Sequence, residues 1–150
     1  LSVIMPIALR NVFLNDVLKS ISDRTGLSMS ASNTASYAKR KTPYFYSVGS
    51  GYHCMDSLAG IFDIKKLLWQ QQGDGGLYVG SWAESFWASK DELPIPEKLF
   101  TNHGTANSVR MPFIPTLRPG ARLLDRGYVT AVTLQNDQAT VQWSNNPWAK

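Results

Sequence analysis

Two β-prone runs around a glycine-rich turn are the strongest local signal in this sequence. Residues 67–72 and 77–82 flank the turn Gly73-Asp74-Gly75-Gly76. Glycine adopts the positive φ angles of tight turns without steric cost, and strands joined in this way form an antiparallel hairpin. We therefore expect a hairpin at 67–82, at the end of an α/β unit that covers residues 1–87.

The segments before the hairpin predict three strands and two helices. Asn11 offers a side-chain oxygen as the N-cap of the first helix, and Gly26 follows that helix as a left-handed stop. Apolar residues at helical or alternating spacing define the remaining elements. The expected elements are strands at 2–9, 27–32 and 44–48 (Tyr44, Tyr46 and Val48 alternating) and helices at 12–24 and 53–63. The order β-α-β-β-α-β-β predicts an α+β fold class, with two helices on one side of a small mixed sheet.

Beyond residue 87 the character of the chain changes. Residues 88–108 are rich in loop-forming residues and predict a connector. Residues 109–150 predict a mainly β segment, a hairpin or barrel-like extension that turns at Asn136-Asp137. In that hairpin the candidates for burial are Tyr128, Ala131 or Val132, and Leu134, and Ala139, Val141 and Trp143 alternate with polar residues on the returning strand.

Composition excludes several classes of protein. The chain has 150 residues, of which 43% are hydrophobic and 17% charged, as expected for one domain or two small ones rather than a disordered chain. No apolar run is long enough to span a membrane, and no basic region precedes the apolar residues 1–8, so we expect no signal peptide. The net charge of +4 is spread out, and its densest run, 39–41, is expected to be a solvated loop. Leu at position 1 is expected of a piece of a longer chain.

No catalytic, cofactor-binding or metal-binding residues are predicted. Cys54 is the only cysteine, and its neighbour His53 points about 100° away on a helix, which is a poor geometry for a general base. His103, the other histidine, stands in the connector, and two histidines fifty residues apart make no metal site. The turn at 73–76 lacks the Lys-Ser/Thr of a phosphate loop. We therefore expect a protein that is not an enzyme and takes no cofactor or small-molecule substrate.

Five tryptophans are many for this length. They are typical of core and subunit-interface packing, and stacking on sugars or bases is the alternative. The second interpretation leaves a carbohydrate-binding or hydrolase domain open as a function.

Three short motifs follow one another in the first unit. They are LRNV at 9–12, LNDVL at 14–18 and TGL at 25–27. This succession resembles the small N-terminal domain of secretins and of outer-membrane receptors, over residues 4–80. The resemblance implies a periplasmic or outer-membrane protein-interaction domain that pairs with a partner by strand addition.

A second set of motifs spans residues 10–143. The helix with DVL is followed by Gly51, by an aliphatic helix at 55–62, and by a hairpin of the form W-x-x-x-x-D-G-x-L-x-V at 69–79. Further on, LRPG at 117–120 precedes YVTAVT at 128–133. This pattern resembles the hub proteins of phage tails and baseplates, which are also similar to the spikes of contractile secretion systems.

The hub resemblance covers more of the chain and implies a structural virion protein. Hubs self-assemble as rings, often trimers, between the tail tube and the spike or tip, and DNA passes through their lumen. The candidates for lining such a lumen, or for pairing with acidic neighbours, are Arg110, Arg118, Arg122 and Arg126. The residues predicted to contact protein partners are Trp69, Tyr78, Trp82, Trp87, Arg118, Arg122, Tyr128 and Trp143.

Overall fold

In the computed structural model, which describes residues 1–103 and 105–149, the chain divides into the units Leu1–Ser85 and Phe86–Lys150. The structure does not describe the side chains of Asn102 and His103. The prediction for His103 therefore lies outside the described part of the chain. The segment predicted as a connector contributes to the core of the second unit. Its apolar residues Leu93, Ile95, Leu99 and Phe100 pack there.

The first unit has the predicted order of elements and the predicted α+β class. Its elements are β1 (Ile7–Val12), α1 (Leu14–Thr25), β2 (Met29–Ser30), β3 (Thr42–Ser47), α2 (Gly51–Phe62), β4 (Leu67–Gln71) and β5 (Leu77–Ser81). The strands form two sheets rather than the one expected. β1 pairs with β3, while β5 lies between β4, which is antiparallel to it, and β2, which is parallel. The hairpin predicted at 67–82 is confirmed.

Residues close in sequence determine where helix α1 begins and where it ends. Its buried residues, Leu14, Val17, Leu18 and Ile21, have the helical spacing that predicted it. Asn11 is not the N-cap: it lies within β1 with a φ of 53°, and the helix begins two residues later than predicted. Phe13 is the N-cap, and the Asp16 carboxylate accepts a hydrogen bond from its amide at 2.8 Å. Gly26 ends the helix at a φ of 71°, as predicted.

The buried side of strand β3 is the one that does not carry its two tyrosines, Tyr44 and Tyr46. Phe45 and Ser47 are buried, whereas Tyr44, Tyr46 and Val48 are 67%, 69% and 60% exposed. Phe45 lies opposite Leu9 of β1, and both belong to or pack against the core of the first unit. The strand was predicted correctly, but the large aromatic residues are on its solvent side.

A hydrogen-bond network of side chains and backbone groups lies near the end of β5 in the first unit. The Tyr37 hydroxyl donates to Glu84 Oε2 at 2.5 Å and accepts from the amide of Ser81 at 3.1 Å. The Tyr78 hydroxyl donates to the carbonyl of Ser81 at 2.9 Å. A Cβ on Gly80 would lie 2.6 Å from each of the two hydroxyls, so a larger residue there would displace the two tyrosine side chains.

This network predicts that the first unit loses stability in alkali. Burial, and then the hydrogen bond to Glu84, raise the pKa of Tyr37, and burial also raises the pKa of Tyr78. A phenol whose pKa is raised by folding stabilises the native state while it stays protonated, so stability is expected to fall as the pH rises above the ordinary tyrosine pKa of about 10. Urea denaturation at several alkaline pH values measures this fall. Tyr37→Phe should make it shallower, and an unchanged slope would contradict the assignment.

The second unit is an antiparallel β structure, in line with the predicted class. Its strands are β6 (Asn102–His103), β7 (Ser108–Pro112), β8 (Arg122–Leu123), β9 (Gly127–Gln135) and β10 (Gln138–Ser144). They form one sheet in the order β6-β7-β10-β9-β8. Ala139, Val141 and Trp143 of β10 are buried, together with Val109 and Met111 of β7.

A bulge changes which residues of β9 are buried. Ala131 lies opposite Gln142, but Val129 lies opposite Trp143, so Thr130 is an extra residue. Val129 is therefore the fully buried position, and Leu134, which was expected to be buried, is 56% exposed. Leu134 stands beside the turn at Asn136-Asp137, where the hairpin extends past the core.

Candidate interaction surface

The predicted contact residues of the first unit take part in packing within the unit. Trp69 is half-buried, its ring lies 5.8 Å from that of Tyr52, and its indole nitrogen donates to Asp56 at 3.3 Å. Tyr78 belongs to the hydroxyl network at the end of β5. Trp82 is half-buried, and its amide bonds to the carbonyl of Lys66. A partner contact by these residues remains a prediction.

The aromatic predictions in the second unit have similar surroundings. Trp143 is buried, with the Arg126 guanidinium 5.2 Å from its ring. Tyr128 packs edge-on against Trp148 at 4.9 Å, and Trp87 packs on the core. The half-buried or buried state of these rings indicates that they stabilise the unit.

The predicted arginines differ from each other. Arg122 pairs with Glu92 at 2.8 Å. It lies opposite Tyr128 in the sheet, so the structure brings these two predicted residues together. Arg118 is exposed and stands in the loop before β8.

The solvent side of the β1–β3 sheet carries a stripe of exposed apolar and aromatic side chains. Alternation places residues 4, 6, 8 and 10 and residues 44, 46 and 48 on this side, while Met5, Ile7, Phe45 and Ser47 are buried. Arg10 lies opposite Tyr44, and Ala8 opposite Tyr46. We name this surface the outer face and define it by Ile4, Pro6, Ala8, Arg10, Tyr44, Tyr46 and Val48.

The outer face combines large apolar and aromatic side chains with a single charge. Ile4 is 73% exposed, and with the two tyrosines and Val48 it offers four large side chains to solvent. The only charged member is Arg10, whose guanidinium lies 5.8 Å from the Tyr44 ring centroid. Tyrosine and arginine are enriched in the energetic centres of protein interfaces, because they combine apolar area with hydrogen-bonding groups.

Sequence reasoning missed this surface although it identified the strand. Tyr44, Tyr46 and Val48 were the more apolar set of the alternation, so the pattern favoured them for the interior. The register of the two strands could have corrected this, because it places Phe45 opposite Leu9 and Ser47 opposite the buried Ile7.

The described residues offer little for metal binding or for thiol chemistry. Within the described ranges, no three His, Cys, Asp or Glu side chains are grouped as metal ligands. Cys54 is fully buried on α2, and its neighbour His53 is exposed. Over the part of the chain that is described, no helix is long and apolar enough to cross a membrane.

A shallow cavity of about 250 Å³ lies beside Tyr37 and Phe62 in the first unit. Arg40 and Asp63 line it and form an ion pair at 3.5 Å. Lys65 also contacts Asp63 at 2.8 Å, and this hydrogen-bonded pair lowers the pKa of the Asp63 carboxyl. The acidic group of the cavity is thus already neutralised by two cations.

In sequence comparison the chain is similar to a phage protein of unassigned role. It is 29% identical over 136 residues to a protein of Haemophilus phage HP1 described as "Uncharacterized 58.7 kDa protein in lys 3'region". The match covers 91% of this chain and 25% of the phage protein, so the chain spans about a quarter of that relative's length. No protein-family profile and no solved structure matches. The similarity indicates a distant relationship to a phage protein and suggests a phage origin.

Proposed function

We propose that this chain is a structural assembly module of a phage tail or baseplate, part of a hub that forms a ring between the tail tube and the spike or tip. The observation that carries the proposal is the similarity to a phage protein along 91% of the chain, which includes residues of both units. The resemblance to hub motifs over residues 10–143 has a comparable extent. In this function the chain acts by binding other protein chains and performs no catalysis.

The outer face is the surface by which one subunit of the ring would contact the next. A ring of identical subunits needs an interface whose centre is apolar and excludes water. The outer face meets this requirement with large exposed side chains on a sheet that the core of the first unit holds in place. Its single cation, Arg10, would pair with an acidic or aromatic group of the neighbour.

The arginines of the second unit fit a lumen that DNA passes without being held. Tight phosphate binding would hinder transit, so a lumen should carry little unpaired positive charge. Arg122 pairs with Glu92, and Arg126 pairs with Glu97 at 3.3 Å, which reduces the potential that these cations create. A brief contact between this surface and passing DNA is part of the proposal.

Serine at both Tyr44 and Tyr46 is expected to abolish the ring contact and leave the fold intact. Both side chains are about two-thirds exposed, so their loss should change the free energy of unfolding by less than about 1 kcal/mol. Sedimentation velocity over a concentration series measures the assembly. Phe113→Ser, which removes an exposed aromatic of the second unit, is the matched control. An assembly equal in mass to that of the unchanged chain would contradict the proposed contact.

The alternative function is a secretin-type or receptor-type N-terminal interaction domain. It is favoured by the division of the chain, since the first unit, Leu1–Ser85, has a core of its own and nearly the extent of that resemblance. The two functions differ in the part of the chain that assembles. If residues 1–85 alone reproduce the assembly of the whole chain, the secretin-type function is supported and the hub function loses its basis in the second unit.

A further inference from the structure

Two basic runs that are separate in the sequence lie together in the first unit. Lys39 and Arg40 stand at the end of a short 3₁₀ turn, and Lys65 and Lys66 stand in the turn between α2 and β4. Asp63 joins the two runs, because its carboxylate lies 3.5 Å from the Arg40 guanidinium and 2.8 Å from the Lys65 ammonium. All four cationic residues are exposed. We name these four residues the basic patch.

The backbone beneath the basic patch is tied to the end of β5. The Tyr37 hydroxyl accepts a hydrogen bond from the amide of Ser81, which holds the turn before Arg40. The carbonyl of Lys66 accepts from the amide of Trp82 at 2.9 Å, which holds the second turn. The backbone positions of the cations are therefore set before any ligand binds, and this lowers the entropic cost of binding.

The basic patch holds the excess positive charge of the first unit. Its four cations are accompanied by two acids, Asp63 and Glu84, and Glu84 accepts the hydrogen bond of the Tyr37 hydroxyl. The remaining charges of residues 1–85 balance, since they are four cations and four acids. Those residues are Arg10, Lys19, Arg24, Lys41, Asp16, Asp23, Asp56 and Asp74. A ligand that is attracted to this unit by charge is thus an anion, and the patch is where it is attracted.

The surroundings of the patch favour an extended polyanion over a small anion. The cavity beside Arg40 is shallow and also carries the Asp63 carboxylate, so a single small anion gains little there. A polyanion places several negative groups over the four cations at once, which outweighs the repulsion from one carboxylate. Double-stranded DNA has the required charge density, with one negative charge per about 1.7 Å of its axis.

The absence of a stacking surface in this cavity favours contact with phosphates rather than with bases. The two rings that line the cavity, Tyr37 and Phe62, are buried, so a base cannot stack on them. The Arg40 guanidinium and the lysine ammonium groups are phosphate-binding groups, the first as a planar fork and the others as point charges. Contacts with phosphates carry no sequence information.

We propose that the basic patch binds the phosphate backbone of double-stranded DNA without sequence preference. Bound DNA competes with Asp63 for Arg40 and Lys65, while Lys39 and Lys66 attract the neighbouring phosphates. The inference stands on the charges of the first unit. It needs neither the ring contact nor the arginines of the second unit.

Asparagine at position 63 tests the competition, because it should strengthen binding. Asp63 ends α2 with a φ of 56°, a conformation that asparagine also adopts, so the turn should keep its shape. Without the carboxylate, Arg40 and Lys65 are free for phosphates, and the affinity for a random-sequence duplex is expected to rise about two- to fivefold. Fluorescence anisotropy of a labelled duplex at about 50 mM salt measures the affinity.

Asp23→Asn is the matched control for this variant. It removes one exposed carboxylate from α1, outside the patch, and should change the affinity less than Asp63→Asn does. An affinity that stays the same or falls in Asp63→Asn, or that rises equally in both variants, would overturn the inference.

Loss of the two central cations should weaken the same binding. Arg40→Gln/Lys65→Gln removes two exposed charges and is expected to lower the affinity about five- to tenfold. Lys19→Gln/Lys98→Gln removes two charges at exposed positions outside the patch and is the control. Equal losses in the two double variants would show that DNA responds to net charge alone, which would contradict a site at the patch.

Salt and a second polyanion identify the partner. Contacts with two to four phosphates predict that the logarithm of the association constant falls with the logarithm of the salt concentration, with a slope of about −2 to −4. Poly-glutamate should bind more weakly than the duplex. If poly-glutamate binds as tightly and responds to the same variants, the partner is an acidic protein surface and the proposal of DNA is wrong.

The variant Tyr44→Ser/Tyr46→Ser separates this inference from the proposed ring. Its basic patch is unchanged, so it should bind the duplex as tightly as the unchanged chain does, whether or not the ring contact exists. Loss of DNA binding in this variant would contradict an independent site. An unchanged chain that binds no duplex at about 50 mM salt, at protein concentrations up to about 1 mM, would overturn the inference as well.

Discussion

Alanine at Phe45 is expected to lower the free energy of unfolding of the first unit by about 3–5 kcal/mol, whereas alanine at the adjacent Tyr46 changes it by less than about 1 kcal/mol. Phe45 is 1% exposed and belongs to the core with α1 and α2, so its removal leaves a cavity that the packed helices cannot fill. Tyr46, on the other side of the same strand, is 69% exposed.

The two substitutions form a matched pair because they remove aromatic rings from neighbouring positions of one strand. Native-state hydrogen exchange of the amides in α1 and α2 reports the stability of the first unit separately from the second. Equal losses for the two variants would show that both faces of β3 are covered, which would contradict the outer face as a free surface.

Alanine at Gly127 is expected to destabilise the second unit by about 2–5 kcal/mol. Gly127 has a φ of 91°, a conformation that costs an L-residue about 1–2 kcal/mol. Its added Cβ would also lie 2.6 Å from the Ser144 carbonyl oxygen and 2.8 Å from the Cα of Asn145. These are backbone atoms that cannot rotate away, so the sheet must shift at a further cost of about 1–3 kcal/mol.

Gly75→Ala separates the two causes. Gly75 has a similar φ of 86°, but a Cβ there would meet nothing within 4 Å. Its replacement should cost only the conformational part, about 1–2 kcal/mol, in the first unit. Urea denaturation measures both variants. If Gly127→Ala costs no more than Gly75→Ala, the close approach between Gly127 and the end of β10 is not present in solution.

Local patterns predicted the elements better than they predicted their faces. Helix α1 and the 67–82 hairpin follow from helical spacing, from Gly26 and from the glycine-rich turn, all of which are local signals. Strand β3 has apolar residues on both sides, so its buried face depends on the pairing with β1. Val129 was missed because the bulge at Thr130 reverses the alternation before it, and no residue type marks that bulge in the sequence, whereas Leu134 is exposed because it lies beside the turn, past the core.

The interaction surfaces depended even more on tertiary structure. The predicted contact residues were chosen for aromatic and arginine side chains, and several of them pack within their own unit, while their contact with a partner stays a prediction. The outer face becomes visible only through the register of paired strands, because the exposure of its side chains is a property of the sheet. The phage relationship was suggested by the hub motifs, and the similarity to the Haemophilus phage HP1 protein supports it at the level of origin.

Sedimentation velocity of three proteins tests the assembly function most directly. These are the unchanged chain, Tyr44→Ser/Tyr46→Ser and the control Phe113→Ser. If the outer face forms the ring contact, the unchanged chain and the control assemble as the concentration rises, and the tyrosine variant stays a monomer. If the unchanged chain stays a monomer of 16.7 kDa at every concentration, the assembly function is contradicted.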